Sequence, residues 1–321
     1  MKLQTQIPLE KAKPQIDYES RLLLLGSCFV ENIGAKLDYF KFQSVQNPFG
    51  ILFHPLAIEN VVTKAIDKYS YTEKDLFFLN ERWHCFDVHS DLSDVSKEDL
   101  LQNLNSSLHV LRKQIEMASH IVITLGTAWV YHHKERKITV ANCHKVPQKE
   151  FDKKLLEVPE VLDSLKRIVH QIGKINKTAA IVYTVSPVRH LKDGFVENQR
   201  SKAHLVTAIH KKLSSPFFGG GRGEAYFPSY EIMMDELRDY RFYKADMVHP
   251  NDVAIDYIWE KFTEVWISGE AQSVMKDVAS VQKGLAHRPF NIHSNQYGKF
   301  TAKLENLKQK LQERYPKISF D

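Results

Sequence analysis

The sequence predicts an α/β protein of three layers, in which a mainly parallel sheet lies between two layers of helices. Three apolar runs, at residues 22–25, 120–126 and 178–185, have the length and composition of strands that are buried on both faces. Between them lie segments whose apolar residues recur every three or four positions, as in residues 97–117. Strands that alternate with helices in this way are typical of a parallel sheet covered on both sides.

The other elements can be assigned in chain order from the apolar spacing and from glycine and proline. Residues 1–20 are expected to be an irregular lead-in to a main domain over residues 21–269. Within it we predict short strands at 42–45 and 225–227, hairpins at 76–88 and 127–143, and helices at 28–39, 55–69, 158–175, 197–213 and 251–267. The glycine-rich residues 219–223 are expected to be a mobile connection, and residues 270–321 a C-terminal extension with one helix at 301–315.

Composition and charge limit the classes of function. The 321 residues carry 44 basic and 39 acidic side chains that are mixed along the chain, so the net charge of +5 offers no basic arm for nucleic acid. No apolar run approaches the ~20 residues of a membrane span, and residues 1–15 lack the apolar core of a secretory signal. We therefore expect a cytoplasmic protein that contacts no membrane. Three cysteines without CxxC pairing, and histidines without HExxH spacing, give no reason to expect a disulfide, a metal or another cofactor.

Residues 21–34, RLLLLGSCFVENIG, place a serine at the point where a buried strand turns into a helix. In α/β hydrolases a serine in such a turn exposes its hydroxyl above the sheet, and the start of the helix can face developing negative charge. Ser27 is therefore a candidate nucleophile. The alternative is that its hydroxyl only caps the helix. Cys28 beside it is interpreted as a small buried hydrophobe rather than as the reactive group.

A serine nucleophile needs a base, and the base needs an acid that orients it. The segment ADMVHPN places Asp246 three residues before His249, directly ahead of a predicted helix. If this loop forms a turn, the carboxylate can meet His249 Nδ1 while Nε2 points to Ser27. Taken alone, each residue could also be a surface side chain of a loop.

A series of short motifs in the chain closely resembles the GSCFA family, which belongs by similarity to the SGNH (GDSL-like) hydrolase superfamily. The motifs run from about residue 22 to residue 262 and read GSCF, NPFG, TLGTAWVY, NCHKVP, SPVRHLKDG, ENQRSKAH, YFPSYEI and DxxHPN. The resemblance implies a flavodoxin-like sheet with Ser27 as nucleophile, His249 as general base and Asp246 as its orienting partner.

The resemblance also implies an oxyanion hole, which in SGNH enzymes is formed by the N–H of the nucleophile, a glycine N–H and an asparagine side chain. The Ser27 N–H would be the first donor and the Gly50 N–H of NPFG the second. The chain reads GTAW from Gly126, so no asparagine stands at the third position, and Thr127, Asn47 or Asn142 could replace it. Loss of one oxyanion donor costs roughly 10²–10³ in rate.

Four polar residues follow the third apolar run, where loops line the cleft of a parallel sheet: Arg189, His190, Asn198 and Arg200. They could bind a polar or anionic group of a substrate, or they could belong to a solvated loop and the start of a helix.

Together with the resemblance, these residues predict a serine-dependent ester hydrolase or acyltransferase. The expected substrate is a small-molecule or glycan ester, such as an O-acyl group on a carbohydrate. Because the asparagine of the oxyanion hole is missing, the alternative is a catalytically weak or inactive protein of the SGNH fold that binds a glycan.

Overall fold

The computed structural model describes residues 4–214 and 223–320 of the chain. The predicted glycine-rich connection at 219–223 lies outside the described residues, apart from Gly223. In the described part of the lead-in, residues 4–20 form neither helix nor strand, but Ile16 makes an isolated parallel bridge to Ile267.

The secondary structure alternates between strands and helices, as the apolar pattern predicts. The strands are β1 (Arg21–Gly26), β2 (Gln43–Gln46), β3 (Leu76–Leu79), β4 (Arg82–Cys85), β5 (His120–Leu125), β6 (Trp129–His133), β7 (Ile138–Val140), β8 (Phe151–Leu155), β9 (Ala180–Val185) and β10 (Glu224–Phe227). The helices are α1 (Phe29–Tyr39), α2 (Pro55–Ile66), α3 (Lys97–Met117), α4 (Val158–Ile175), α5 (Phe195–Leu213), α6 (Ser229–Glu231), α7 (Asp252–Trp266), α8 (Gly269–Ala286) and α9 (Asn295–Arg314).

Five parallel strands form the central sheet in the order β10-β9-β5-β1-β2. Alternate residues of a strand face different apolar clusters. Leu23 and Leu25 of β1 pack in the first cluster, with α2 to α5, whereas Leu22 and Leu24 pack in the second cluster, with α1, α7 and α8. Because both faces of the sheet are buried, its strands appear in the sequence as continuous apolar runs. The prediction of a three-layer α/β/α fold with a mainly parallel sheet is confirmed.

Two antiparallel sheets are inserted between the elements of the central sheet. β3 pairs with β4, and β6 pairs with both β7 and β8. The hairpins predicted at 76–88 and 127–143 correspond to the first pair and to β6 with β7. The sequence did not predict β8, because its segment FDKKL buries only the two end residues and exposes three polar ones.

The C-terminal extension contains two helices, so the prediction of a single helix is wrong. α8 buries a stripe of five residues in the second cluster: Ala271, Val274, Met275, Val278 and Val281. Polar and small residues separate these five, so the segment as a whole has a polar composition. The spacing of three and four residues between the buried ones is nevertheless helical. α9 buries only Leu311, which explains why its sequence is mostly polar and rich in lysine.

The described helices include none that is both long and apolar enough to cross a membrane. All three cysteines, Cys28, Cys85 and Cys143, are free thiols.

Candidate active site

β1 turns into α1 through a residue that must be glycine. Gly26 has a φ of 138°, and a Cβ at this position would lie 2.0 Å from the carbonyl oxygen of Thr124 in the neighbouring β5. Ser27 follows at once and is fully buried, and α1 begins at Phe29. The predicted change from strand to helix therefore takes place in a tight turn at Ser27.

The Ser27 hydroxyl forms no hydrogen bond with any of the described residues. Cys28 is the N-cap residue of α1, and its side chain makes no bond to the helix either. Because Ser27 Oγ has no hydrogen-bond partner among these residues, the capping interpretation of this serine is not supported. A buried polar atom without a partner costs roughly 1–3 kcal/mol, and such an atom needs an explanation in function or strain.

Asp246 and His249 form the pair that their spacing predicts. Asp246 Oδ2 lies 2.7 Å from His249 Nδ1, while Asp246 Oδ1 accepts the backbone N–H groups of Val248 and His249 at 2.9 and 3.0 Å. Met247 makes the turn possible with a φ of 56°. Hydrogen bonds from the backbone of His249 and Val248, and then from the imidazole, hold the pKa of Asp246 well below its usual range. The carboxylate is thus charged near neutral pH and fixes the proton of the imidazole on Nδ1.

Arg189 holds the loop that carries this pair. Its backbone N–H donates to the carbonyl of Val248 at 3.2 Å, and its guanidinium donates to the carbonyl of Met247. The same guanidinium lies over the ring of Tyr243, 4.4 Å from the centroid. These contacts position the loop of His249, and the role of Arg189 as a substrate ligand stays a prediction.

A cavity of about 800 Å³ opens at the carboxyl ends of the parallel strands. This is the edge at which parallel sheets of α/β proteins bind ligands. The cavity brings together six of the predicted site residues, and its wall is otherwise largely apolar and aromatic. The predicted residues in the wall are Thr127, Asn142, Arg189, His190, Asp246 and His249, together with Cys28 next to the serine. The described wall does not include Ser27 itself, nor Asn47, Gly50, Asn198 or Arg200.

The predicted oxyanion donors are already engaged in hydrogen bonds. The Gly50 N–H donates to the carbonyl of Asn47 at 2.8 Å, and the Ser27 N–H donates to the carbonyl of Thr124 at 3.0 Å. The Thr127 N–H donates to the carbonyl of Phe53, and Thr127 Oγ1 is bonded to Ser201 Oγ and to the Trp129 N–H. The backbone N–H groups of all three residues are thus bonded to carbonyls of the chain in this structure.

The other predicted ligands divide into three asparagines whose side chains accept hydrogen bonds from the backbone and one exposed arginine. Asn198 is buried and its Oδ1 accepts the His190 N–H at 2.9 Å, while Asn142 Oδ1 accepts the His144 N–H at 2.8 Å. Asn47 Oδ1 accepts the Gly26 N–H at 2.9 Å, and its Nδ2 is buried without a partner in the described chain. Arg200 is exposed on α5, away from the cavity wall.

Lys202 supports the site but is not among the residues predicted from the sequence. Its side chain is 1% exposed, and Nζ donates to the carbonyl oxygens of Gly126 at 2.8 Å and Ser186 at 2.7 Å. These carbonyls follow β5 and β9 directly, so the lysine ties together the two strand ends beside the serine. Burial lowers the pKa of Lys202 to about 7.

A pattern in α5 could have identified this lysine. The buried face of the helix carries polar residues at Asn198, Ser201 and Lys202 and apolar residues at Leu205 and Ile209. Polar residues that share the buried stripe of an amphipathic helix must find partners in the interior. Such residues at the start of a helix, beside the carboxyl edge of the sheet, indicate support for a site.

The stability contributed by Lys202 is expected to depend on pH. Its pKa is about 7 in the folded chain against 10.5 for an ordinary lysine, so between these pH values the unfolded chain binds more protons and stability rises with pH. Between pH 7 and pH 9, we expect the free energy of unfolding of the wild type to rise by about 2 kcal/mol more than that of Lys202→Met. Urea unfolding of both proteins at pH 7, 8 and 9 measures this difference, and parallel pH dependence would contradict it.

The described residues around the serine form no metal-binding cluster, and the neighbouring thiol is not activated. Within residues 4–214 and 223–320, no group of three or more His, Cys, Asp or Glu side chains is placed to hold a metal ion. Burial raises the pKa of the Cys28 thiol above its ordinary value, so this cysteine is a weaker source of thiolate than a free one.

Comparison with known proteins gives two matches that together cover most of the chain. The model of the GSCFA family matches residues 21–262, which include the central sheet, the serine turn and the Asp246–His249 pair. A second model, described as the C-terminal domain of GSCFA domain proteins, matches residues 278–321. No curated protein matches the sequence.

Proposed function

The chain belongs to the GSCFA family, and from this premise together with the geometry of the site we propose that it is a serine-dependent ester hydrolase or acyltransferase of the SGNH type. Ser27 is the proposed nucleophile, His249 the general base and Asp246 the acid that orients it. The proposed substrate is an ester, with an O-acyl group on a carbohydrate as the leading candidate.

The observation that carries this proposal is the bond between Asp246 and His249 at the wall of the cavity, beside the serine turn. The carboxylate accepts the Nδ1 proton at 2.7 Å, so the lone pair of Nε2 is free to accept a proton. Ser27, a buried serine without a hydrogen bond in the described part of the chain, follows the end of β1. A base with a fixed tautomer and an uncommitted hydroxyl at one sheet edge are what acyl transfer requires.

In the proposed reaction the Ser27 hydroxyl turns toward the cavity and attacks the acyl carbonyl carbon. His249 Nε2 takes the hydroxyl proton, a C–O bond forms, and the carbonyl oxygen becomes an oxyanion. When the tetrahedral intermediate collapses, the bond to the leaving alcohol breaks and His249 returns the proton to it. Water then releases the acyl group from Ser27 in a hydrolase, whereas a sugar hydroxyl takes it in a transferase.

The cavity wall supports an ester with an apolar and a polyhydroxylated part. Ile51, Phe53 and Val188 provide apolar surface for an acyl group. Trp129 and Asn142 offer an aromatic edge and a polar side chain to a sugar. The Lys153 ammonium lies 4.6 Å from the Trp129 ring centroid and is paired with Asp193, another residue of the wall.

Labelling with a fluorophosphonate probe tests the proposal. The probe phosphonylates serine nucleophiles that a general base activates, and we expect one adduct per chain, located on Ser27 by peptide mass spectrometry. Ser27→Ala should remain unlabelled. Ser106→Ala, at an exposed position on α3, is the matched control and should be labelled like the wild type. A folded wild type that takes no label on Ser27, or labels elsewhere, would contradict the proposal.

A second candidate function is glycan binding by a protein of the same fold without catalytic activity. Two observations favour it: Ser27 is fully buried without a bond to His249, and Ala128 stands where SGNH enzymes place the asparagine. In that case a folded wild type should take no label, while glycans immobilised on an array retain it.

A further inference from the structure

Two buried polar atoms without partners belong to side chains that border one small space in front of Gly126. They are Ser27 Oγ and His190 Nε2, and neither has a hydrogen-bond partner in the described chain. The position that a Cβ on Gly126 would take lies 3.1 Å from Ser27 Cβ and 3.3 Å from His190 Nε2. The glycine therefore keeps open a space that any larger residue would fill, between the serine and the imidazole.

His190 is held firmly enough to act from this position. Its backbone N–H donates to the buried Asn198 side chain, and its ring packs edge-on against Phe53 with the centroids 5.5 Å apart. Burial, and then the charges of Lys202 and His249, lower the pKa of His190 to about 3. The ring is therefore neutral at pH 7, so it carries one N–H donor and no charge.

The backbone N–H donors at this space are already used. The N–H groups of Gly126 and Thr127 both donate to the Phe53 carbonyl, at 2.8 and 3.0 Å. That carbonyl oxygen also borders the space, 3.1 Å from the same Cβ position, but its lone pairs are occupied by these two bonds. Asn47 Nδ2 is a further donor without a partner, but Asn47 is not part of the cavity wall. His190 is in that wall.

We propose that His190 is a catalytic residue whose Nε2–H donates a hydrogen bond to the substrate carbonyl oxygen as it becomes an oxyanion, in place of the asparagine that this chain lacks. The inference rests on the proposed function. This role requires the proton of the neutral His190 ring on Nε2, whereas His249, oriented by Asp246, is the group that takes the Ser27 proton. A neutral imidazole can stabilise an oxyanion in this way, as it does in other enzymes.

Two esters that differ in one atom test this donor. The probes are p-nitrophenyl acetate and its thiono analogue, in which sulfur replaces the carbonyl oxygen and accepts hydrogen bonds poorly. Removal of an oxyanion donor slows the oxygen ester much more than the thiono ester, whereas a distorted site slows both. The ratio of the two kcat/KM values therefore separates a catalytic role from a structural one.

The variants are His190→Phe, which keeps the contact with Phe53 but has no donor, and His190→Gln, which keeps a neutral N–H. We expect His190→Phe to lose about 10²–10³-fold in kcat/KM for the oxygen ester. Its ratio of oxygen to thiono ester should fall at least about tenfold, while His190→Gln keeps the ratio within about threefold. His190→Leu is the donorless variant to use if His190→Phe does not fold.

Equal losses on both esters, or no loss, in a folded donorless variant would overturn the inference while the wild type remains active and labelled at Ser27. A wild type that hydrolyses neither ester and takes no label would overturn the proposed function, and the role of His190 with it. The activity and labelling of the wild type therefore distinguish failure of this inference from failure of the proposed function.

Discussion

Replacement of His249 by alanine is expected to lower kcat/KM for an activated ester by about 10⁵–10⁶-fold, and replacement of Asp246 by asparagine by about 10⁴-fold. Alanine removes the base, so the Ser27 hydroxyl keeps its proton. Asparagine keeps an oxygen for the N–H groups of Val248 and His249, so the turn persists. Its amide group, however, donates to Nδ1 and drives the imidazole proton onto Nε2, which then cannot act as a base.

The measurement is initial-rate kinetics with p-nitrophenyl acetate at pH 7, with circular dichroism to check the fold. Asp239→Asn is the matched control, because Asp239 is a carboxylate in the segment that precedes this loop and is paired with the exposed Arg241. It should keep the wild-type rate within about twofold. An Asp246→Asn variant that keeps more than a tenth of the wild-type kcat/KM would show that the carboxylate does not set the tautomer.

Gly26→Ala is expected to destabilise the fold by at least about 4 kcal/mol or to prevent folding. The methyl group would lie 2.0 Å from the Thr124 carbonyl oxygen, which is backbone of the neighbouring strand and cannot rotate away. The φ of 138° adds conformational strain for any residue with a Cβ. Both effects act on the turn that positions Ser27, so the loss of stability and the loss of the site should coincide.

Urea unfolding of the variant measures this effect, and Gly269→Ala is its control. Gly269 begins α8, and a Cβ there would meet nothing within 4 Å. This second substitution should leave the free energy of unfolding unchanged or raise it by up to about 1 kcal/mol. An unfolding midpoint of Gly26→Ala equal to that of the wild type would contradict the prediction, because it would show that the turn accommodates a methyl group.

Local patterns were sufficient to predict the layers of the fold and the Asp246–His249 pair. The segments of β1, β5 and β9 are continuously apolar because both faces of the sheet are covered, and this pattern indicates buried parallel strands. The pair depends only on a turn of three residues, so its geometry follows from sequence spacing. By contrast, β8 and α8 were missed because their buried residues are separated by polar or small ones.

The oxyanion donors could not be predicted from sequence, because the direction of an N–H depends on the backbone around it. Gly50 has a φ of 69° and Asn47 a φ of 40°, and this turn directs the Gly50 N–H to the Asn47 carbonyl. The meeting of Ser27, Gly126 and His190 likewise involves three strand ends far apart in the chain. Only the order of the strands in the sheet brings these residues together.

The two apolar clusters differ in how much of the chain must be synthesised before each can close. The first cluster is made of residues between Leu23 and Tyr230, whereas the second includes Ile16 near the beginning and Ile318 near the end. The helix that follows Ser27 packs in the second cluster, through Phe29, Val30 and Ile33. A chain emerging from the ribosome can therefore cover one face of its sheet once residue 230 is available, whereas the face that carries the serine helix is covered only after α7 and α8 have followed.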